Sequence, residues 1–145
     1  MSDEDGQVGV AARLWSRHAN PLSVWTMVVA YPALVLAIYR RDRWLLVGTL
    51  LAVALNPVLV PPARDDTAWS TRVVLGERAW LERGLASSVT DLVFVVACAP
   101  VYLFTLRSAA KRQRVRTVVG TVVSLVLIVV FFDRMASYYE ASTRG

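Results

Sequence analysis

The 145 residues contain one cysteine, one histidine and one lysine, and that scarcity removes whole classes of chemistry. A lone Cys98 excludes an intramolecular disulfide, a cysteine zinc cluster and an iron–sulfur site. A lone His18 excludes a multi-histidine metal centre. The chain also lacks a glycine-rich phosphate loop, a GxSxG elbow and an HExxH helix, so no reaction signature stands out. No metal and no cofactor are expected, and the lack of a catalytic motif leans against an enzyme. Charge is scarce as well: 19% of residues are Asp, Glu, Lys or Arg, against about 25% in a soluble domain. Disorder, collagen and a coiled coil are incompatible with that composition.

Apolar residues are in excess, at 56% with a mean hydropathy of +0.48. A single domain of this length cannot hide them in its own core, which leaves lipid as their surroundings. Charge-free gaps locate the segments. They run over Ala19–Tyr39, Trp44–Ala63 and Thr117–Phe132, with a further gap over Gly84–Leu106 broken only by Asp91. A hydrocarbon core about 30 Å thick takes roughly 20 helical residues, fewer where flanking arginines snorkel. Stretches such as VVAYPALVLAIY and TVVSLVLIVVFF are apolar on every face, whereas barrel strands would alternate. The expected fold is therefore all-α: one membrane domain with transmembrane helices over about 21–39, 44–60, 88–106 and 117–135. Pro57, Pro61 and Pro62 should bend and then end the second of them.

The acidic start and long first apolar run argue against a cleaved signal peptide. Val8, Ala11, Ala12 and Trp15 recur at helical spacing, as in a short interfacial helix. A second amphipathic helix is expected over about 67–83. There Trp69, Val73 and Trp80 fall in one sector, the two tryptophans serving as interface anchors, with Gly76 permitting a close approach and Gly84 as a stop. Asp65 and Asp66 suit the start of that helix better than a cation site.

Basic residues fix the orientation. Two short loops, Arg40–Arg43 and Arg107–Arg116, hold half of them, and among the acids only Asp42 joins them. Dense short-loop arginine marks the cytoplasmic side, which puts both termini, Ser2 and Gly145 among their residues, outside in a multi-pass protein of the cell membrane. The RSAAKRQRVR run is then a topology signal resting on anionic lipid headgroups, and no nucleic-acid partner is expected.

Span parity brings polar residues to the opposite face. Asn20, Asn56, Arg72, Glu77 and Asp91 are the candidate cluster, with Arg72, Glu77 and Asp91 in one charge network. His18, Asp133 and Arg134 are secondary candidates at the same face.

The segments HANPLSVWT, NPVLVPP and WSTRVVLGERAWLERG resemble a family of small uncharacterised multi-pass membrane proteins of bacteria and archaea. The matching positions are Asn20-Pro21, Asn56-Pro57, Trp69, Arg72 and Gly76-Glu77, over about residues 15–85. That resemblance implies membrane residence without an assigned activity. Three functions remain open: a structural, accessory or lipid-interacting protein, which requires nothing the sequence lacks; an oligomeric transport or permeation module; and a membrane enzyme acting on a lipid-like substrate at the outer interface. The second needs more intramembrane polarity than a single chain supplies, hence a homo-oligomer, and the third would use carboxylates with an Arg, for which candidates exist on the outer side.

Overall fold

A computed structural model describes residues 2–144; Met1 and Gly145 lie outside it, as do the side chains through residue 8, and with them the expected apolar contact of Val8 and the sidedness of Gly145. Every regular element among the described residues is helical. They are α1 (Ser2–His18), α2 (Pro21–Arg40), α3 (Arg43–Leu59), α4 (Trp69–Arg83), a 3₁₀ turn (Leu85–Ser88), α5 (Val89–Ala110) and α6 (Arg114–Arg144).

Local chemistry sets the ends of these elements. Asn20 caps α2, its side chain accepting from the Leu22 amide at 2.9 Å, with Pro21 at the first helical position, where no backbone donor is needed. Asp42 caps α3 by accepting from both Trp44 and Leu45 amides at 3.0 Å. Pro57 lies in the last turn of α3, which ends at Leu59 ahead of Pro61-Pro62. Gly84 terminates α4 at φ +90°, a conformation that disfavours any side chain.

Three helices are long and apolar enough to cross a membrane: α2, α5 with its preceding turn (Leu85–Ala110), and α6. Four spans were expected; the remaining candidate, α3, is equally apolar but has only 17 residues. The expected last span ended near residue 135, whereas α6 continues to Arg144. Its 31 residues measure ~46 Å, longer than a ~30 Å hydrocarbon core, so its C-terminal turns must stand clear of any bilayer it crosses.

Helix α2 is central, packing on α3, α4, α5 and α6. Helices α5 and α6 form an antiparallel pair, and α4 lies along the protruding part of α6. Among the described residues, α3 touches only α1 and α2. Large buried side chains collect at the α4 end, in one cluster of Val73, Trp80, Met135 and Ala136 and another of Ala19, Val24 and Val74. Elsewhere the bundle is thin. Val96, Leu103, Val118 and Val126 are more than half exposed, as residues facing acyl chains would be. These faces are compatible with a membrane location.

Two glycines set the helix spacing. A Cβ on Gly76 would lie 1.9 Å from the Met135 carbonyl oxygen, so α4 and α6 meet backbone to backbone. A Cβ on Gly120 would lie 2.5 Å from Thr105 Oγ1, where α6 meets α5 and Thr105 faces Ser124 at 3.3 Å. Close approach at small residues is how helices associate where burial from water supplies little drive.

Candidate functional site

The polar residues singled out in the sequence gather at the α4 end, but they form several separate ties. Asp91 is 5% exposed in the first turn of α5. One carboxylate oxygen accepts from Arg134 Nε at 2.5 Å and the other from the Ser88 hydroxyl. The Arg134 guanidinium also stands 5.8 Å from the Phe94 ring centroid. A cleft beside this pair is lined by Asp133, Ser137 and Tyr138.

Arg72 sits on the far side of α6. Its Nη1 lies 3.2 Å from Glu140, which Arg144 approaches at 3.7 Å. Tyr139 donates to Asp66 at 3.1 Å, and these groups, with Thr67 and Thr143, border a second polar cleft. Asp65 starts no helix. It accepts from the Thr67 hydroxyl and amide, and those bonds hold its carboxyl below the usual range. Helix α4 begins later, after Ala68 and without a side-chain cap.

The expected Arg72–Glu77–Asp91 network is therefore replaced by two ion pairs, Arg72–Glu140 and Asp91–Arg134. Glu77 makes no hydrogen bond or ion pair among the described residues, and burial pushes its pKa up. The asparagines serve elsewhere. Asn20 Nδ2 donates to the Pro61 carbonyl at 3.1 Å, tying the start of α2 to the segment after α3. Asn56 Nδ2 donates to the Ser23 hydroxyl at 2.9 Å and carbonyl at 3.1 Å, locking α3 onto α2.

This lock extends to the only histidine. Ser23 Oγ, which accepts from Asn56, is also 3.3 Å from His18 Nδ1, a contact in which either atom can donate. Burial lowers the His18 pKa and so favours the neutral imidazole. It opens on an apolar hollow lined by Leu14, Trp15 and Pro57. Arg17, from the same turn of α1, donates to the Val58 carbonyl at the end of α3.

The anchoring tryptophans also face inward. Trp80 is 4% exposed and stands edge-on to Phe131, while Trp69 lies between Trp25 and Phe132. The apolar arc of α4 is covered by protein, chiefly α6, rather than offered to lipid.

Two of the ion pairs among the described residues, Arg72–Glu140 and Asp91–Arg134, thus hold α6 to α4 and to α5, while Arg78–Glu82 and Arg144–Glu140 lie within single helices. A family model matches residues 5–145. The chain belongs to DUF6653, a family of unknown function. The resemblance seen over residues 15–85 thus extends through α5 and α6 of this DUF6653 member. No curated protein and no solved structure matches the chain.

Several residues that matter at this end carried little sequence signal. Glu140 lay beyond the expected end of the last helix, and Ser23 and Ser88 are ordinary hydroxyls in apolar surroundings. Only a helix continued to Arg144 brings Glu140, two turns past Asp133, alongside Arg72. Among the described residues no group of three His, Cys, Asp or Glu side chains is placed to hold a metal ion.

Proposed function

We propose that this protein is a four-span membrane protein of structural or accessory type that engages anionic lipid at one leaflet. The supporting observation is the segregation of its ion pairs. The four among the described residues lie at the α4 end, on Arg72, Arg78, Arg134 and Arg144. The opposite end carries Arg40, Arg41, Arg43, Arg107, Lys111, Arg112, Arg114 and Arg116, none of them paired with a carboxylate among the described residues. Its one acid, Asp42, is occupied in capping α3. Eight cations on two short loops are complementary to phospholipid headgroups, each contributing about 1 kcal/mol near an anionic surface.

In this reading α2, α3, α5 and α6 cross the bilayer, the short α3 by snorkelling of Arg43. Helix α4 stays outside as a clasp over the protruding α6. Both basic loops face the cytoplasm and both termini lie outside. The exposed flank of α3, where Gly48 and Ala52 stand one turn apart with open space beside Gly48, is where a second copy would fit. Transport and lipid chemistry have less support, because Arg72, Asp91, Arg134 and Glu140 are engaged in structural ties.

Single cysteines in a Cys98→Ala background test the arrangement. Trp44→Cys and Ala110→Cys should label only from the cytoplasmic side, and Asp66→Cys and Ala141→Cys only from outside. Labelling of residues 44 and 110 from opposite sides would remove α3 from the spans. Equal affinity of the protein for anionic and zwitterionic vesicle lipids would remove the lipid reading.

A further inference from the structure

At the basic end, α2 and α6 diverge and leave a groove of about 400 Å³ between them. Pro32, Leu36 and Tyr39 line it from α2, and Arg114, Val118 and Val122 from α6. We propose that this groove seats one anionic phospholipid, with an acyl chain along the groove and its phosphate on Arg114. The proposal rests on the lipid-engaging reading above and narrows it from a charged surface to one site.

Each part of the groove suits one part of that ligand. Its lining repeats at helical spacing, residues 32, 36 and 39 on one wall and 114, 118 and 122 on the other. At 1.5 Å per residue it runs ~11 Å along the helices, most of the ~15 Å of one leaflet. Two threonines in the α6 wall do not make it polar. Thr117 donates to the Gln113 carbonyl at 2.9 Å and Thr121 to the Thr117 carbonyl at 2.7 Å, so their hydroxyls are satisfied within α6. Beyond Tyr39 and Arg114 at the basic end, an acyl chain meets a lining whose threonine hydroxyls are already satisfied.

The mouth calls for an anion. Arg114 is the first residue of α6, Arg116 stands in the same turn, and that turn holds no acid. Cations there add to the positive end of the helix dipole, the reverse of the stable pattern in which an anion occupies a helix start. A phosphate offsets both, by charge-assisted hydrogen bonds to the guanidinium and by lying near the free amides. The mouth is braced, since Arg112 Nη2 donates to the Arg40 carbonyl at 3.3 Å and joins the two basic loops. Arg41 and Arg112 hold left-handed backbone at φ 58° and 55°, keeping both turns tight. Because the groove lies along two apolar spans, its occupant comes from the bilayer rather than from the aqueous phase.

The test uses the full chain in phosphatidylcholine vesicles with spin-labelled phosphatidylglycerol or phosphatidylcholine, reading the motionally restricted fraction. Wild type should prefer phosphatidylglycerol. Arg114→Gln should lower that preference about fivefold, the equivalent of ~1 kcal/mol for one basic side chain at a lipid surface. Val122→Trp, at a 56% exposed position where a larger side chain can be accommodated, should displace the restricted chain of either lipid without altering charge. Arg107→Gln, at the same end but outside the groove, should change the preference less than twofold. An unchanged thermal transition in each variant confirms folding. If Arg107→Gln and Arg114→Gln act equally and Val122→Trp does nothing, the seat is wrong and the broader lipid reading survives. If wild type shows no preference, both fail.

Discussion

Replacing Gly76 with alanine adds one carbon where the structure has no room for it. The new Cβ would lie 1.9 Å from the Met135 carbonyl oxygen and 2.7 Å from its carbonyl carbon, against about 3.4 Å for ordinary contact. The obstacle is backbone inside α6, so no rotamer change relieves it. The helices must separate by roughly 1.5 Å, loosening the Val73–Trp80–Met135–Ala136 cluster that α4 shares with α6. Alanine returns up to ~1 kcal/mol of helix propensity, and overpacking of a tight contact costs 1–3 kcal/mol or more. With a rigid backbone as neighbour the upper part of that range applies, and a net loss of ~2 kcal/mol is expected. Unfolding in mixed micelles, followed by the fluorescence of the buried Trp80 and its neighbours, would measure it. Gly9→Ala is the control, since nothing lies within 4 Å of the added carbon and the change should be neutral or slightly stabilising. Equal stability of Gly76→Ala and wild type would refute the backbone contact, and with it the role of α4 as a clasp.

Removing Arg134 strands the buried Asp91, which should cost ~3 kcal/mol, the low end for a broken buried pair because Arg134 is 36% exposed; Asp91→Asn with Arg134→Gln should lose less than the two single changes added. Arg72→Ala and Glu140→Ala should each cost under ~1 kcal/mol, as their side chains are 33% and 40% exposed, and a double-mutant cycle should couple Arg72 to Glu140 and not to Glu77. Glu77→Gln should stabilise the protein at neutral pH. Burial raises the folded-state pKa of Glu77 above 4.5, so the penalty for its charge grows as pH rises through that value, and the gain should vanish in unfolding curves below pH 4.5. His18 has the opposite sign: its folded-state pKa is lowered from 6.5, so stability present above pH 6.5 should decline as pH falls through the folded value, and His18→Gln should flatten that decline.

How much of this was legible in the sequence depended on whether a signal was local. Helix positions were, because charge-free apolar runs and caps such as Asn20 and Asp42 act within a few residues. The close approach at Gly76 was legible too, since a glycine bordering an apolar arc has few other uses. Pairing between polar groups was not. Arg72, Asp91, Arg134 and the asparagines do lie toward one end, but span parity carries no information on how helices rotate about their axes. On α6, Arg134 turns toward α5 and Asp91 while Glu140 turns toward α4 and Arg72, and a rotation of one residue would exchange such partners. Glu77 and Asp91, both acids, had no reason to share a cation once Arg134 and Glu140 were within reach.

The length of α6 decides what the α4 end becomes. Had the helix stopped near residue 135, as the hydropathy alone implied, Glu140 and Tyr139 would have had no fixed place and α4 would have had to rest its apolar arc on lipid. Continued to Arg144, α6 supplies a protein surface for that arc, with Ala136 beside Met135. The tryptophans that looked like membrane anchors are then packing residues. Nor does α4 compete with lipid for position, because its burial depends on a helix it meets backbone to backbone. The two ends consequently differ in kind: one internally neutralised and sealed by short-range contacts, the other left with a net positive charge that only an outside anion can offset.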